Sequence, residues 1–243
     1  MSANDYAQVM AADLLQNPKS RWLESFCQRA MLLRTYSAKN VARILEQMPN
    51  ATMVAGRKYF SERGLEVLPT AAPMKIWAPV SEGPSNKFAV VDVYDISQTT
   101  AGRRKYPPKV VPEQDRLRKI YTLAQSSGIK VYTTSLPKGQ GKKRQGLDLF
   151  LQQGLSSDTM AQLIVQEMLS LAYKKENPSS MEEVRMGVSV TASYCVMVAM
   201  GAKVPAIPSR YHCYICGENG LLINLESACR LAKRVLQKIR KIA

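Results

Sequence analysis

The order of apolar patterns predicts an α+β fold built as two consecutive units, residues 1–112 and 113–243. Three observations carry this. Helically spaced apolar residues open the chain, then β-branched and aromatic runs follow at 51–55, 76–80 and 88–94. A boundary comes next, where Gly102, Pro107, Pro108 and Pro112 interrupt regular structure around the charge run Arg103-Arg104-Lys105. Beyond it, short strand patterns give way to long helical ones, ending in a basic amphipathic helix.

Residues 5–16 and 20–34 read as helices broken at Asn17-Pro18, the second with Trp22, Phe26, Met31 and Leu33 on its apolar face. A third helix opens at Tyr36-Ser37, with Ser37 as N-cap, and stops before Pro49. A strand at 51–55, a short helix at 57–63 and further strand candidates at Val67, Ile76–Val80 and Phe88–Tyr94 complete the front unit. The rear unit reads as a helix at 113–126, a strand at 129–134 and a glycine-rich basic loop from Pro137 to Gly146. A strand at 147–153 follows, then a helix from Ser156 or Ser157 to about Lys175. Ser180 and Glu183 form a capping-box pattern for a helix over 181–200, and a last helix covers about 224–242.

Hydrophobic residues make up 46% of the 243, enough for a packed core. The formal net charge of +15 points to a polyanionic partner, most often nucleic acid. Residues 1–20 lack a signal-peptide pattern, and the uncharged run between Arg185 and Lys203 is interrupted by glycines and hydroxyl residues, which suits a buried helix better than a membrane span. Five unevenly spaced cysteines do not make a secreted disulfide framework, so a cytoplasmic setting is expected.

Three ordered blocks, Tyr36-Ser37-x-x-Asn40, Gln47-x-Pro49-x-Ala51-Thr52-x-Val54-Ala55 and Asp95-Ile96-Ser97-Gln98-Thr99, span about 65 residues. Together they resemble the opening module of the ArdC-type antirestriction proteins, which join an N-terminal single-stranded-DNA-binding domain to a zincin-like metallopeptidase domain. The resemblance implies a DNA-binding module over 1–112 and a zincin-like domain over 113–243. Two departures stand out. Tyr59-Phe60 replaces the family's tryptophan in the short helix, and Leu68-Pro-Thr-Ala-Ala-Pro73 replaces its charged Lys-Gly-Glu-Lys-Gly turn.

In the rear half, Gly146–Ser156 resembles the strand leading into a zincin's metal helix. That helix should carry His-Glu-x-x-His, two imidazoles for zinc and a glutamate to activate the bound water. Here the aligned residues are Gln166-Glu167-Met168-Leu169-Ser170, and no acidic third ligand stands in Met186–Tyr194. The whole chain holds one histidine, so a single chain cannot build a two-histidine zinc site. Without a metal to lower the pKa of water to roughly 7, Glu167 has nothing to activate. The expectation is a pseudo-metallopeptidase with no cofactor, Glu167 being a vestigial catalytic position or a core carboxylate bonded to backbone or to Arg185.

The nucleic-acid-binding candidates are Tyr36, Ser37, Asn40, Arg57, Lys58, Tyr59, Trp77, Arg103, Arg104, Lys105, Lys138, Lys142, Lys143 and Arg144. Flexible basic loops neutralise phosphates without reading sequence, and aromatics such as Tyr36, Tyr59, Phe60, Trp77 and Tyr106 stack unpaired bases. His212-Cys213-Tyr-Ile-Cys216 looks like part of a zinc knuckle but lacks a fourth ligand, and is expected to be a turn with buried thiols. In the last helix Ala228, Leu231, Val235, Ile239 and Ile242 form an apolar stripe opposite a basic face, which reads as a helix packed on the core with a solvated basic side, or as a surface for phosphate, a protein partner or an anionic membrane. Taken together, these features predict a non-catalytic protein of a mobile genetic element that binds DNA, in single-stranded form, with an antirestriction or conjugation role implied by the family alone. The alternative is a protein-interaction inhibitor of a host nuclease or defence factor.

Overall fold

The computed structural model describes residues 3–79, 88–102, 111–217 and 220–242. It has an α+β fold. Helices α1 (Ala3–Gln16) and α2 (Trp22–Leu32) part at Asn17-Pro18, because proline pushes the residue before it out of the helical region. Ser20 donates to the Asp13 carboxylate, and the Trp22 indole N–H donates to the Tyr6 hydroxyl at 3.1 Å, which fastens the two helices together. Helix α3 (Ala38–Gln47) starts where Ser37 Oγ accepts the Asn40 N–H at 3.2 Å, the expected cap.

The front sheet has three antiparallel strands in the order β1 (Val54–Ala55), β3 (Phe88–Asp95), β2 (Met74–Pro79), with α4 (Arg57–Ser61) between β1 and β2 in sequence. β1 is shorter than the strand expected over 51–55. The amides of Thr52 and Met53 are taken by the Asp95 side chain instead of a strand ladder. Val67 makes a single bridge to Thr99 in place of a strand. Val80 lies outside the described residues.

In the rear half, α5 (Glu113–Ser126) leads into a second sheet ordered β4 (Lys130–Thr134), β6 (Asp148–Gln152), β5 (Lys142–Gln145), parallel across β4–β6 and antiparallel across β6–β5. Strand β5 corrects the reading of 137–146 as one flexible loop. Its amides and carbonyls are paired with β6, and a turn precedes it, where the Gln140 N–H donates to the Pro137 carbonyl at 3.0 Å. Helices α6 (Ser157–Glu176), α7 (Glu182–Ala199), α8 (Arg210–Cys216) and α9 (Leu221–Arg240) follow. Ser156 caps α6 by accepting the Thr159 N–H. The expected capping box at α7 does not form: Ser180 Oγ donates to the Asn177 carbonyl, closing the preceding turn, and Met181 is the cap. Helix α8 replaces the turn expected at His212–Cys216. Helix α9 starts at Leu221, just after Gly220, whose φ of +77° suits glycine.

One apolar cluster runs through both halves, from Leu23 and Phe26 of α2 and Ile44 of α3 to Leu149 and Leu151 of β6 and Ile164 of α6. Helix α7 lies at its centre and is buried nearly all round, as a helix apolar on every face should be. Its Ser189, Thr191 and Ser193 hydroxyls donate to carbonyls one turn back, so none is left unpaired. A Cβ on Gly187 would lie 2.7 Å from backbone atoms of Tyr214 and Ile215, so only glycine lets α8 approach α7 this closely. A smaller cluster of Phe60, Val67, Tyr94 and Ile96 sits under α4. Among the described residues no helix is long and apolar enough to cross a membrane.

Candidate nucleic-acid interface

Alternation along β2 and β3 turns Met74, Ile76 and Val93 inward and sends Lys75, Trp77, Phe88, Val90 and Asp92 to the outer face. The antiparallel register sets Lys75 opposite Asp92 and Trp77 opposite Val90. Among the described residues no helix covers this end of the face: Trp77 is 38% exposed, Val90 45% and Phe88 60%. The Arg43 guanidinium lies 5.9 Å from the Trp77 ring centre. Further along β3, Arg57 sits 5.1 Å from the Tyr94 ring and donates to its hydroxyl at 3.3 Å. Lys58 projects into solvent beside it, and Arg63 stacks 3.7 Å from the exposed Tyr59 ring. The rings and cations thus fall in two groups, Trp77 and Phe88, beside Val90, with Arg43 on the open end of the sheet, and Tyr59 with Arg57, Lys58 and Arg63 at α4, where Tyr94 itself is buried.

The three sequence blocks hold this face in place. Asn40 spans the free edge of β2, donating to the Trp77 carbonyl at 2.7 Å and accepting the Trp77 N–H at 3.1 Å. Seven residues on, Gln47 repeats the pattern on Lys75, accepting its N–H at 2.8 Å and donating to its carbonyl at 3.1 Å. Helix α3 thus pairs the groups that an edge strand leaves open. Asp95, 1% exposed, accepts the N–H groups of Thr52, Met53 and Ser97, while its own N–H is accepted by Gln98. The second and third blocks are therefore two sides of one clasp. Ser37 is used as a cap, and the Tyr36 hydroxyl donates to the Val54 carbonyl at 2.9 Å, its phenol pushed up by burial. These residues shape the surface more than they present themselves on it.

The rear cations divide differently. Alternation along β5 turns Lys142 and Arg144 toward α6, where Lys142 Nζ lies 3.0 Å and Arg144 Nε 2.5 Å from the Glu167 carboxylate. Glu167 was expected to meet backbone or Arg185. Arg185 instead pairs with Glu182 at 3.2 Å. Lys143 on the other side of β5 and Lys138 in the preceding turn are exposed. The donor set does not suit a metal: Gln166 and Ser170 stand at the histidine positions, and both Glu167 oxygens already face cations. Arg103, Arg104 and Lys105 lie outside the described residues.

The knuckle-like segment is also corrected. As part of α8, His212 points inward, with Nδ1 3.3 Å from the Leu14 carbonyl, while Cys213 points outward and donates to the Arg210 carbonyl at 2.9 Å. The helix separates the two side chains that a shared ion would need. Burial and the neighbouring Cys213 push the Cys216 thiol up to about 11, further from a metal-binding thiolate. Among the described residues no group of three His, Cys, Asp or Glu side chains is placed to hold a metal.

Sequence reasoning passed over Arg43, Lys75, Phe88 and Val90. The signals were present: Arg43 follows Asn40 by three residues on one helix face, and Lys75 shares period-two alternation with Trp77.

No protein-family model and no curated protein sequence matches this chain. Its fold matches that of the antirestriction ArdC protein from the R388 plasmid. The Mn(II)-bound crystal structure is 9% identical, with 99% of each chain covered and a TM-score of 0.63. The metal-free structure is 10% identical, with 86% of each chain covered and a TM-score of 0.51. The chain has an ArdC-like fold.

Proposed function

We propose that this protein is a non-catalytic single-stranded-DNA-binding protein of a mobile genetic element, acting in the cytoplasm in an antirestriction or conjugation role. The observation that carries the DNA reading is the exposed outer face of the front sheet, where Trp77 has Arg43 beside its ring and shares the face with the Lys75–Asp92 pair. Unpaired bases stack on Trp77 and Phe88, while Arg43, Arg57 and Lys58 neutralise phosphates. A duplex hides its base faces, so stacking favours a single strand. The net charge of +15 supplies long-range attraction.

The non-catalytic part rests on Glu167, whose carboxylate is engaged by Lys142 and Arg144, and on the single histidine of the sequence. The antirestriction or conjugation role rests on the likeness to the R388 plasmid protein. The cytoplasmic setting rests on five free cysteines.

Tryptophan fluorescence tests the site. The chain has two tryptophans, and Trp22→Phe leaves Trp77 as the sole reporter. Oligothymidine is expected to quench that emission in a saturable manner that is lost at high salt. Unchanged emission at low salt with a large excess of oligonucleotide would overturn the proposal.

A further inference from the structure

A cleft of about 680 Å³ opens on the opposite half of the molecule, between the end of α5 and the turn after it, α6 and α9. Its walls are aliphatic: Met168 and Leu171 from α6, Leu231 and Val235 from α9, and Leu123 and Ile129 from the turn between α5 and β4. Its rim is cationic. Lys175 stands on the α6 side, and Arg234, Lys238 and Lys241 stand on the α9 side at i, i+4 and i+7. The one acidic residue on the rim, Glu176, is held by Arg230 and Arg234. Among the described residues no ion pair involves Lys175, Lys238 or Lys241.

We propose that this cleft receives an acidic amphipathic helix of a partner protein. The cation spacing selects this occupant. Residues 234 to 241 run for about 10 Å along the groove wall at 1.5 Å per helical residue. A row of charges along the length matches carboxylates repeated every three or four residues beside an apolar stripe. A single-headed amphiphile would need its cations gathered at one end. A nucleic-acid strand would find no aromatic ring among the lining residues to stack on. A second copy of this chain would bring the same net positive charge and be repelled. Leucine side chains at i, i+3/i+4 and i+7 of the incoming helix would fill the aliphatic floor, the helix-in-groove mode of recognition.

The inference stands apart from the DNA reading, since the cleft shares no residue with the front sheet face. Its test uses a fluorescein-labelled helical peptide of about 14 residues, with leucines at helical spacing and glutamates on both flanks. The control is an isomer of equal composition and charge with the leucines scattered. Anisotropy titration should show the stripe peptide binding at least about tenfold more tightly than the isomer. The exposed double variant Lys238→Glu/Lys241→Glu should cost at least about tenfold. Leu171→Glu, checked for an unchanged thermal melt, should abolish the preference for the stripe. Equal binding of both peptides, an unaffected double variant, or displacement of the peptide by equimolar dodecanoate would overturn the proposal.

Discussion

The two sheets differ in where their arginines point. At the front sheet, Arg43 of α3 lies against the exposed Trp77 ring and Arg57 of α4 against the buried Tyr94 ring, and both keep their charge toward the surface. On the rear sheet, Lys142 and Arg144 turn inward onto Glu167. In sequence the rear run is the denser of the two, Lys142-Lys143-Arg144 against Arg57-Lys58. Density of charge along the chain therefore does not rank surfaces for phosphate binding. On the rear sheet a carboxylate waits across the fold for Lys142 and Arg144, whereas on the front sheet Asp92 takes Lys75 and leaves Arg43 and Arg57, and a strand's period of two sends alternate residues to different fates.

Removing the Asp95 clasp should disturb this contrast most. Asp95→Ala leaves the buried amides of Thr52, Met53 and Ser97 without their acceptor, and a stability loss of about 3 kcal/mol is expected in a urea melt. The rear sheet is untouched, so DNA binding should fall with the front sheet. Retention of full DNA affinity in a variant with that loss would move the binding surface to the rear cations.

Glu167→Ala sharpens the comparison from the other side. It strands Lys142 and Arg144 opposite an apolar gap. The cost should be about 2 kcal/mol, below the roughly 3–5 kcal/mol of a fully buried broken pair, because both cations remain partly exposed. Glu167→Gln at the same position releases two cations with little change of shape. Its single-stranded-DNA affinity should change by less than about threefold if the proposed front face is the site. A larger gain would show that the rear sheet binds as well.

The smallest effect concerns Glu176, which ties α6 to α9. Burial raises its carboxyl, but the hydrogen bonds and charges of Arg230 and Arg234 outweigh this, so its pKa lies below the ordinary 4.5. A depressed carboxyl stabilises the fold above its unfolded pKa, and the contribution is lost as pH falls through the folded value. Acid melts of the wild type and Glu176→Gln should therefore differ above pH 4.5 and converge below it, with a difference under about 1 kcal/mol for so exposed a pair. A difference that grows on acidification would contradict the assignment.

Local signals made much of the fold legible. Ser37 and Ser156 cap helices as their hydroxyls predict, the helix expected at 113–126 is Glu113–Ser126, and β-branched runs became β2 and β3. Partnerships across the chain were not legible. Lys142 and Glu167 are 25 residues apart, and no local pattern records that β5 folds onto β6 beneath α6. Ser180 satisfied a capping pattern yet bonded backward to Asn177, because the turn competed for the same hydroxyl. The segment His212–Cys216, expected as a turn with buried thiols, is helix α8 packed closely over Gly187, with Cys213 exposed. The site was half legible: Trp77 was named from its ring, but its neighbours Arg43 and Val90 come together only through the edge clamp and the strand register.

The most direct test of the central claim is a salt-series titration of labelled single-stranded and duplex DNA with the wild type and Trp77→Ala. The wild type should prefer the single strand, with affinity falling steeply as salt rises. Trp77→Ala should lose roughly 1–3 kcal/mol of single-strand binding with an unchanged salt slope, because stacking releases no counterions. Absence of wild-type binding at low salt, or a Trp77→Ala variant that binds the single strand as tightly as the wild type, would contradict the account.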